Sequence, residues 1–232
     1  MLSSTESLRF CRLKKISKQS RLIWLFVVGL SVAGLIMPAA AQAATATNAL
    51  IAVESLVVKG KAPKTGYERS LFSDGWGDIS NCDVRNFILK RDLKSVKLRD
   101  ACKVDTGVLI DPYTAKRINF KYGVGTSSAV QIDHVVALSD AWQKGAQQLD
   151  AAKRYQLYND PLNLLAVDGP TNSSKGDSDA SAWLPPNKAY RCAYVARQVA
   201  VKLKYRIWVI EAEKAAFKRV LSTCPKQKLP TR

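Results

Sequence analysis

The chain has 232 residues, of which 36 are Lys or Arg, 19 are Asp or Glu and one is His, so its formal net charge is +17. This length fits one domain with a hydrophobic core and argues against several large domains. The positive charge indicates an anionic partner, and nucleic acid, an anionic wall polymer and a lipid surface all satisfy that requirement.

The N-terminal region has the three parts of a secretory signal peptide. Six basic residues and one acidic residue lie in 1–21, the apolar stretch LIWLFVVGLSVAGLIM follows in 22–37, and Ala41-Gln42-Ala43 offers a cleavage site. The apolar stretch is short for a membrane span, although an uncleaved N-terminal anchor is the alternative. We therefore expect residues 1–43 to be a signal peptide. Residues 44–232 would form a single secreted domain of net charge +12, monomeric and without stable membrane association.

Four cysteines lie within the predicted mature domain, at positions 82, 102, 192 and 224. An even number of cysteines in an exported chain indicates two disulfides, with three possible pairings. We expect the sequence-local pairing, Cys82–Cys102 and Cys192–Cys224, in which each bond closes a loop of about 20–30 residues. A zinc site of four thiolates is the alternative, and the absence of a CxxC pair counts against it.

The first half of the domain contains short elements separated by turn-forming residues. LIAVESLVV (50–58) predicts a short helix or strand, and DVRNFILKRDL (83–93) predicts a short helix or turn. GVLIDPYTAKRINFKY (107–122) predicts a β-hairpin with its turn at Asp111-Pro112.

The second half alternates strand and helix patterns. AVQIDHVVAL (129–138) predicts a strand because of its β-branched residues, and a helix capped by Ser139 or Asp140 should follow as far as Tyr158. NLLAV (163–167) predicts a second short strand.

Three further helices are predicted towards the C-terminus. The first is capped by Thr171 or Asn172 and should end near Trp183, before two prolines. The other two lie in 189–208 and 211–224, and we expect their basic residues to face solvent.

The only histidine, His134, directly follows Asp133 in QIDHVVALSD. The simplest interpretation is a buried core histidine with one hydrogen bond. However, the chain continues with a helix, a strand that begins at Asn163, and a helix start that contains Asn172 and Lys175. This order is the layout of a ββα-metal element with an inserted helix.

These segments, DHVVAL and NDPLNLLAVDGPTNSSKGD, resemble the HNH nucleases, specifically the small secreted HNH endonuclease-like proteins of bacteria with a GmrSD C-terminal-like domain. GYERSLF, DGW, CDVRNFILKRDL, DPYTAKRINF and WLPPNKAYRCAYVARQVAVKLKY also look like that group, so the resemblance covers roughly 58–224. It implies an α+β fold with an HNH-like ββα-metal core, additional helices and a small β-hairpin. Two disulfides would replace the CxxC zinc pairs that brace many HNH domains.

The resemblance also implies a role for each residue of the pattern. His134 matches the general base and Asp133 the preceding metal ligand, whereas Asn163 matches the middle Asn that holds the base by hydrogen bonding. Asn172 matches the final position as a second metal ligand, with Lys175 three residues later as a substrate-binding residue. An amide oxygen in place of the frequent histidine favours Mg²⁺, with Mn²⁺ and Zn²⁺ as the other candidates.

Each of these residues also has a structural interpretation. Asn163 is typical of a strand end, Asn172 of a helix N-cap and Lys175 of a solvated surface, while Asp133 and His134 could form a structural hydrogen bond. Consecutive strand residues point to opposite faces. Asp133 and His134 can therefore reach one site only if the strand is twisted or bulged, or if one side chain crosses an edge.

Further candidates lie outside the pattern. Arg85, Asn86 and Arg91 could contact a phosphate, and the placement upstream of the site supports Arg85 most; a salt bridge with Asp83 or Asp92 is the alternative. We expect three tryptophans, at positions 76, 142 and 183, to lie in the core, with base stacking as the alternative.

The chemistry of the residues agrees with the resemblance. A histidine of ordinary pKa, about 6.5, suits general-base catalysis, and a hard divalent cation takes oxygen ligands. The sequence therefore predicts a secreted, metal-dependent HNH-type endonuclease that hydrolyses phosphodiester bonds of DNA, and RNA as a further substrate, with little sequence specificity. The alternative is a non-catalytic cationic protein that binds extracellular nucleic acid or cell-wall polymer. A toxin-type nuclease, which needs an immunity partner, shares the chemistry.

Overall fold

A computed structural model describes residues 47–231, so the predicted signal peptide at 1–43 lies outside the described residues. Helices and short strands alternate along this part of the chain. The α-helices are α1 (Ala49–Glu54), α2 (Val84–Asp92), α3 (Leu138–Gln143), α4 (Ala151–Asn159), α5 (Gly169–Lys175), α6 (Arg191–Tyr205) and α7 (Glu211–Leu221). The strands are β1 (Asp78–Ile79), β2 (Cys82–Asp83), β3 (Lys94–Leu98), β4 (Val104–Ile110), β5 (Arg117–Lys121), β6 (Val130–His134) and β7 (Leu164–Asp168).

The strands form three small antiparallel sheets. β1 pairs with β2, β4 lies between β3 and β5, and β6 pairs with β7. The predicted hairpin is confirmed as β4 and β5, but the sequence pattern missed β3. Its residues are mostly exposed, so β3 lacks the apolar alternation that marks a half-buried strand.

Two disulfides brace this mixed α+β fold, and the expected sequence-local pairing is confirmed. Cys82–Cys102 joins β2 to the connection between β3 and β4, and Cys192–Cys224 joins the start of α6 to the segment after α7. Each bond therefore fixes the position of a helix relative to a neighbouring element: α2 follows Cys82, and α6 contains Cys192.

The β6–β7 sheet is buried between helices on both faces. Ile132 and Leu164 pack with α2 residues such as Ile88, whereas Leu165 and Val167 belong to a second core that includes α1, α6 and α7. The near-continuous burial of β7 explains why NLLAV is apolar at every position after the asparagine. This sheet is consequently a rigid support for the residues at its edge.

The continuous helix predicted over 139–158 is wrong. α3 ends at Gln143, and Gly145 follows with φ of +122°, where an added Cβ would lie 2.9 Å from the Trp208 ring. α4 begins afresh after Asp150, whose carboxylate accepts a hydrogen bond from the Lys153 amide. Asp140 is not a cap, since it lies inside α3 and is buried.

The helix predicted from Thr171 or Asn172 to Trp183 is also wrong in its bounds. Asp168 caps α5 by accepting a hydrogen bond from the Thr171 amide, so the helix begins at Gly169 and ends at Lys175. Asn172 therefore lies inside the helix, and its side chain is not used as a cap.

The expectation that basic residues of the C-terminal helices face solvent fails at Lys202. Its Nζ atom is buried in what we call the ionic cluster, which comprises Lys144, Lys202, Asp140, Asp179 and Glu213. The cluster joins α3, α6, α7 and the segment after α5. Among the described residues, we find no helix with both the length and the apolar composition needed to cross a bilayer.

Candidate active site

A cavity of about 390 Å³ lies along one edge of β6. Within residues 47–231, β6 pairs only with β7, so its second edge has no strand partner. Four consecutive residues, 131–134, line the cavity. Because successive strand residues point to opposite faces, a cavity lined by four in a row must follow the strand edge. Asp133 and His134 therefore reach one cavity across this edge, which is one of the arrangements that their adjacency required.

The residues around this cavity come from six parts of the chain. We call the cavity the β6-edge pocket. Besides residues 131–134, it is lined by Arg69, Trp76, Arg85, Ala137, Leu138, Asn172 and Gly176.

His134 is held in one orientation by its surroundings. Its Nε2 atom lies 2.9 Å from the Tyr158 carbonyl oxygen, and Trp76 stacks on the imidazole at 5.7 Å between ring centroids. A carbonyl can only accept, so Nε2 carries the hydrogen and Nδ1 carries the lone pair. Nδ1 forms no hydrogen bond with any residue of 47–231. The unshared lone pair belongs to a residue that lines the pocket.

Burial lowers the pKa of His134 to about 3, and the positive charges of Arg69 and Lys175 act in the same direction. The hydrogen bond to the Tyr158 carbonyl opposes this shift. The imidazole is therefore neutral near pH 7, which is the form that can accept a proton.

Asp133 is almost fully buried and accepts two hydrogen bonds. Its Oδ2 atom accepts from the Tyr113 hydroxyl at 2.5 Å, and Oδ1 accepts from Lys175 Nζ at 2.9 Å. Lys175 also donates to the His134 carbonyl oxygen at 2.9 Å. Lys175 is 1% exposed and does not line the pocket, since the early start of α5 packs it onto β6. It therefore contacts Asp133 rather than a position that substrate reaches.

Asn163 is fully buried beside the backbone that follows His134. Its Oδ1 atom accepts from the Val136 amide at 2.8 Å, and its Nδ2 atom donates to the carbonyls of Val136 and Leu157. These bonds tie the turn after β6 to the end of α4, where Tyr158 supplies the carbonyl that orients the imidazole. Asn163 does not line the pocket, so it can act only through the backbone around His134.

Asn172 reaches the pocket from α5. Its Nδ2 atom donates to Gln131 Oε1 at 2.9 Å, which leaves its own Oδ1 atom available to a ligand. Gln131 and Asp133 share one face of β6, and α5 lies across that face with Asn172 opposite Gln131 and Lys175 opposite Asp133.

Arg85 lines the pocket near the start of β6. Its Nη2 atom donates to the carbonyls of Val130 at 3.1 Å and Ser127 at 3.3 Å, and in the described chain it forms no salt bridge. Burial lowers its pKa, and the attraction of Asp83 only partly opposes that effect. A partly buried cation without a paired carboxylate would gain stability from an anionic ligand.

The other α2 candidates do not reach this pocket. Asn86 donates to Asp83 and accepts from the Val104 amide, so it joins the start of α2 to β4. Arg91 donates two hydrogen bonds to Asp92 and one each to the carbonyls of Pro161 and Leu164. Both side chains have structural partners, and neither lines the β6-edge pocket.

The sequence reasoning missed Arg69 and Gln131 and expected Trp76 in the core. Arg69 lies in a short 3₁₀-helix (Arg69–Leu71) and donates to the Tyr158 hydroxyl at 3.4 Å. Trp76 is partly buried and covers His134. The only sequence signal for Arg69 and Trp76 was the family-like segment GYERSLF-DGW, and that segment does not indicate which residues it contacts.

The donors at the pocket suit a hard divalent cation. Asp133 and Asn172 supply a carboxylate and an amide oxygen, and each Asp133 oxygen accepts one hydrogen bond and retains a second lone pair. Residues 47–231 contain no cluster of three or more His, Cys, Asp or Glu side chains that could hold a metal ion. A cation that keeps several waters, such as Mg²⁺, needs no such cluster, whereas zinc sites of proteins usually have one.

Comparison with known proteins defines the class of this α+β domain. Residues 80–220 match the family model of the GmrSD restriction endonucleases, C-terminal domain. A protein of Arthroderma benhamiae described as an uncharacterized secreted protein is 34% identical over 183 residues, which is 78% of this chain and 86% of that protein. The chain therefore belongs to the GmrSD C-terminal domain family. The matched range contains Arg85, His134 and Asn172, but it begins after Arg69 and Trp76.

Proposed function

We propose that this protein is a secreted, metal-dependent endonuclease that hydrolyses phosphodiester bonds of DNA, and RNA as a second substrate, with little sequence specificity. The observation that carries the proposal is the orientation of His134. Its hydrogen-bonded Nε2 atom leaves the Nδ1 lone pair unshared, in a pocket that also contains a carboxylate, an amide oxygen and an unpaired Arg85. This set meets the requirements for activating water beside a phosphate.

The family supports the same reaction, because its description names restriction endonucleases. Within this proposal, β6, β7 and α5 form an HNH-like ββα core, into which α3 and α4 are inserted. The secreted description of the Arthroderma protein supports export after removal of residues 1–43. The mature protein would be a single domain and a monomer.

In the proposed reaction, His134 Nδ1 accepts a proton from a water molecule as the water oxygen forms a bond to phosphorus. The bond from phosphorus to the leaving oxygen breaks, and that oxygen retains the electron pair and takes up a proton from solvent. The Tyr158 carbonyl stabilises the imidazolium that forms, since Nε2–H donates to it. An arriving phosphate also offsets the positive charges that lower the pKa of His134, so the base becomes stronger in the complex.

A divalent cation at the oxygen atoms of Asp133 and Asn172 would offset the charge that develops on the phosphate and on the leaving oxygen. Mg²⁺ is the ion that this donor set favours, with Mn²⁺ as a substitute. Tyr113 and Lys175 orient the Asp133 carboxylate, and Asn163 orients the backbone after His134. These three residues therefore act as positioning residues.

Arg85 lies at the Val130 end of the strand, where it would bind the substrate backbone. The excess of Lys and Arg over Asp and Glu supports attraction of a polyanion, and contacts to phosphates give no sequence preference. Binding should consequently weaken steeply as the salt concentration rises.

The test is a plasmid-nicking assay with Mg²⁺ or Mn²⁺, using wild type and His134→Ala purified in the same way. Wild type should nick the plasmid, chelation should abolish nicking, and His134→Ala should be slower by about 10³-fold. Melting temperatures measured in parallel show whether the variant is folded. Identical purification also excludes a contaminating nuclease as the source of cleavage.

A non-catalytic cationic binding protein gives a different result. It would bind DNA or wall polymer in a salt-sensitive way, with no need for metal and no response to His134→Ala. Wild-type protein that binds DNA but does not nick it with either ion would establish that alternative.

A further inference from the structure

The β6-edge pocket contains two side chains that the family match does not include. Residues 80–220 match the family, whereas Arg69 and Trp76 precede that range and still line the pocket. Trp76 covers one face of the His134 ring at 5.7 Å between centroids. The segment before the matched domain therefore completes the wall around the proposed base.

The Arg69 guanidinium lies over the Tyr158 ring, but it makes few polar contacts with the protein. Its only hydrogen bond in the described chain is a long one, 3.4 Å from Nη2 to the Tyr158 hydroxyl, and it forms no salt bridge within residues 47–231. By contrast, Arg91 satisfies its guanidinium with four hydrogen bonds. A guanidinium has five N–H donors, so most of those on Arg69 remain available to a ligand. The side chain is also exposed, so a substrate can reach it.

The two pocket arginines lie at opposite ends of β6. Arg85 contacts the carbonyl of Val130, the first residue of the strand, and His134 is the last. At about 3.3 Å per residue, these positions are separated by roughly 13 Å. Arg69 lies at the His134 end, since its guanidinium carbon is 5.1 Å from the Tyr158 ring, whose centroid is 4.8 Å from that of His134.

From this geometry we infer that Arg69 binds the phosphate that reacts beside His134, whereas Arg85 binds the nucleic-acid backbone farther along the strand. The inference rests on the proposed function. The planar guanidinium donates two hydrogen bonds to non-bridging phosphate oxygens and stabilises the charge that develops there. Arg69 is thereby a catalytic residue that lies outside the matched family range.

The test combines turnover with a binding measurement that needs no turnover. Steady-state kinetics on a short DNA duplex should give a kcat at least about 100-fold lower for Arg69→Gln. Arg69→Lys should be intermediate, because lysine keeps the positive charge but cannot donate two parallel hydrogen bonds to one phosphate. Calorimetry with inorganic phosphate should give binding at least about tenfold weaker for Arg69→Gln. Arg99→Gln is the matched control, because Arg99 also lies over a tyrosine ring, that of Tyr122, but does not line the pocket.

Three results would overturn the assignment. An unchanged kcat with a raised KM would make Arg69 a contact to a flanking phosphate. A lowered kcat with unchanged phosphate binding would show that Arg69 acts only through Tyr158, and equal losses in Arg99→Gln would reveal a general charge effect. If wild type binds phosphate through Arg69 but cuts no duplex, the proposed function fails. The calorimetry would still show that Arg69 belongs to an anion-binding site.

Discussion

The β6-edge pocket and the ionic cluster both contain basic side chains, but these side chains differ in whether a carboxylate pairs with them. In the cluster, Lys144 Nζ lies 2.6 Å from Asp140, 2.6 Å from Asp179 and 2.7 Å from Glu213, and Lys202 lies 2.9 Å from Glu213. All five side chains are at most 4% exposed. In the pocket, Arg69 and Arg85 have no carboxylate partner within the described chain. Every charge of the cluster lies beside one of opposite sign, whereas the pocket arginines would gain from an anionic ligand.

The pKa shifts follow this difference. Burial lowers the pKa of a basic group in both regions, but for Lys144 the charges of Glu213 and Asp140 more than reverse the effect and raise its pKa. For Arg85, burial prevails and the pKa is lowered. A charged residue in a protein interior is thus stabilised by partners that the fold supplies, or else it stays available for a ligand.

The largest effect we predict is loss of stability when the cluster loses a lysine. Lys144→Met removes the one cation that pairs with Asp179 in the described chain and leaves Asp140 and Glu213 to Lys202, so the free energy of unfolding should fall by about 3–5 kcal/mol. Urea denaturation measures the change. At a temperature where the variant is folded, its kcat on DNA should match that of wild type.

The control for this prediction is Lys204→Met. Lys204 also makes a 2.7 Å ion pair, with Asp160, but its side chain is 52% exposed. Screening by water should limit its cost to about 1 kcal/mol or less. Equal losses at the two positions would mean that burial of the cluster contributes nothing.

A smaller effect should appear when the cluster is titrated. Burial alone would raise the pKa of Asp179, but hydrogen bonds from Lys144 and Ser181 lower it to about 2, against an ordinary value of 3.8. The ionised carboxylate therefore stabilises the folded state above pH 3.8, and this stabilisation is lost as the pH falls towards 2. Its magnitude is about 2 kcal/mol.

Asp179→Asn isolates this contribution. The difference in unfolding free energy between wild type and the variant should be greatest near neutral pH and shrink as the pH falls from 5 towards 2. Urea denaturation over that range measures it. A difference that stays constant with pH would show that Asp179 does not titrate as its contacts require.

The smallest effect concerns two arginines on α2. Arg85→Gln should raise KM for duplex DNA about tenfold, because one phosphate contact is lost. The slope of the logarithm of the binding constant against the logarithm of the salt concentration should become shallower by about one. Arg91→Gln should leave KM unchanged and lower the melting temperature, since it breaks four hydrogen bonds within the protein. A raised KM for Arg91→Gln with an unchanged KM for Arg85→Gln would contradict the view that Arg85 is available to substrate and that Arg91 is occupied by the protein.

Much of the local structure could be predicted from the sequence. The β4–β5 hairpin, α2, α6, α7 and both disulfides follow from patterns within short stretches of chain. The sequence also predicted that His134, Asp133 and Asn172 belong to one site, and all three line one pocket. The predicted bounds of α5 were wrong because three residues could cap this helix. Asp168, whose carboxylate accepts from the Thr171 amide, is the cap, rather than Thr171 or Asn172.

The sequence by itself determined the alternation of strand and helix around β6 and β7, because backbone preference and apolar spacing act over a few residues. Only the tertiary structure decided which charges are paired. Lys175 and Lys202 became buried partners of carboxylates up to 62 positions away, while Arg69 came to lie beside His134 from 65 positions before it. The physical reason is that pairing depends on which side chains meet in the folded chain, and a single lysine or arginine has the same local signal in either setting.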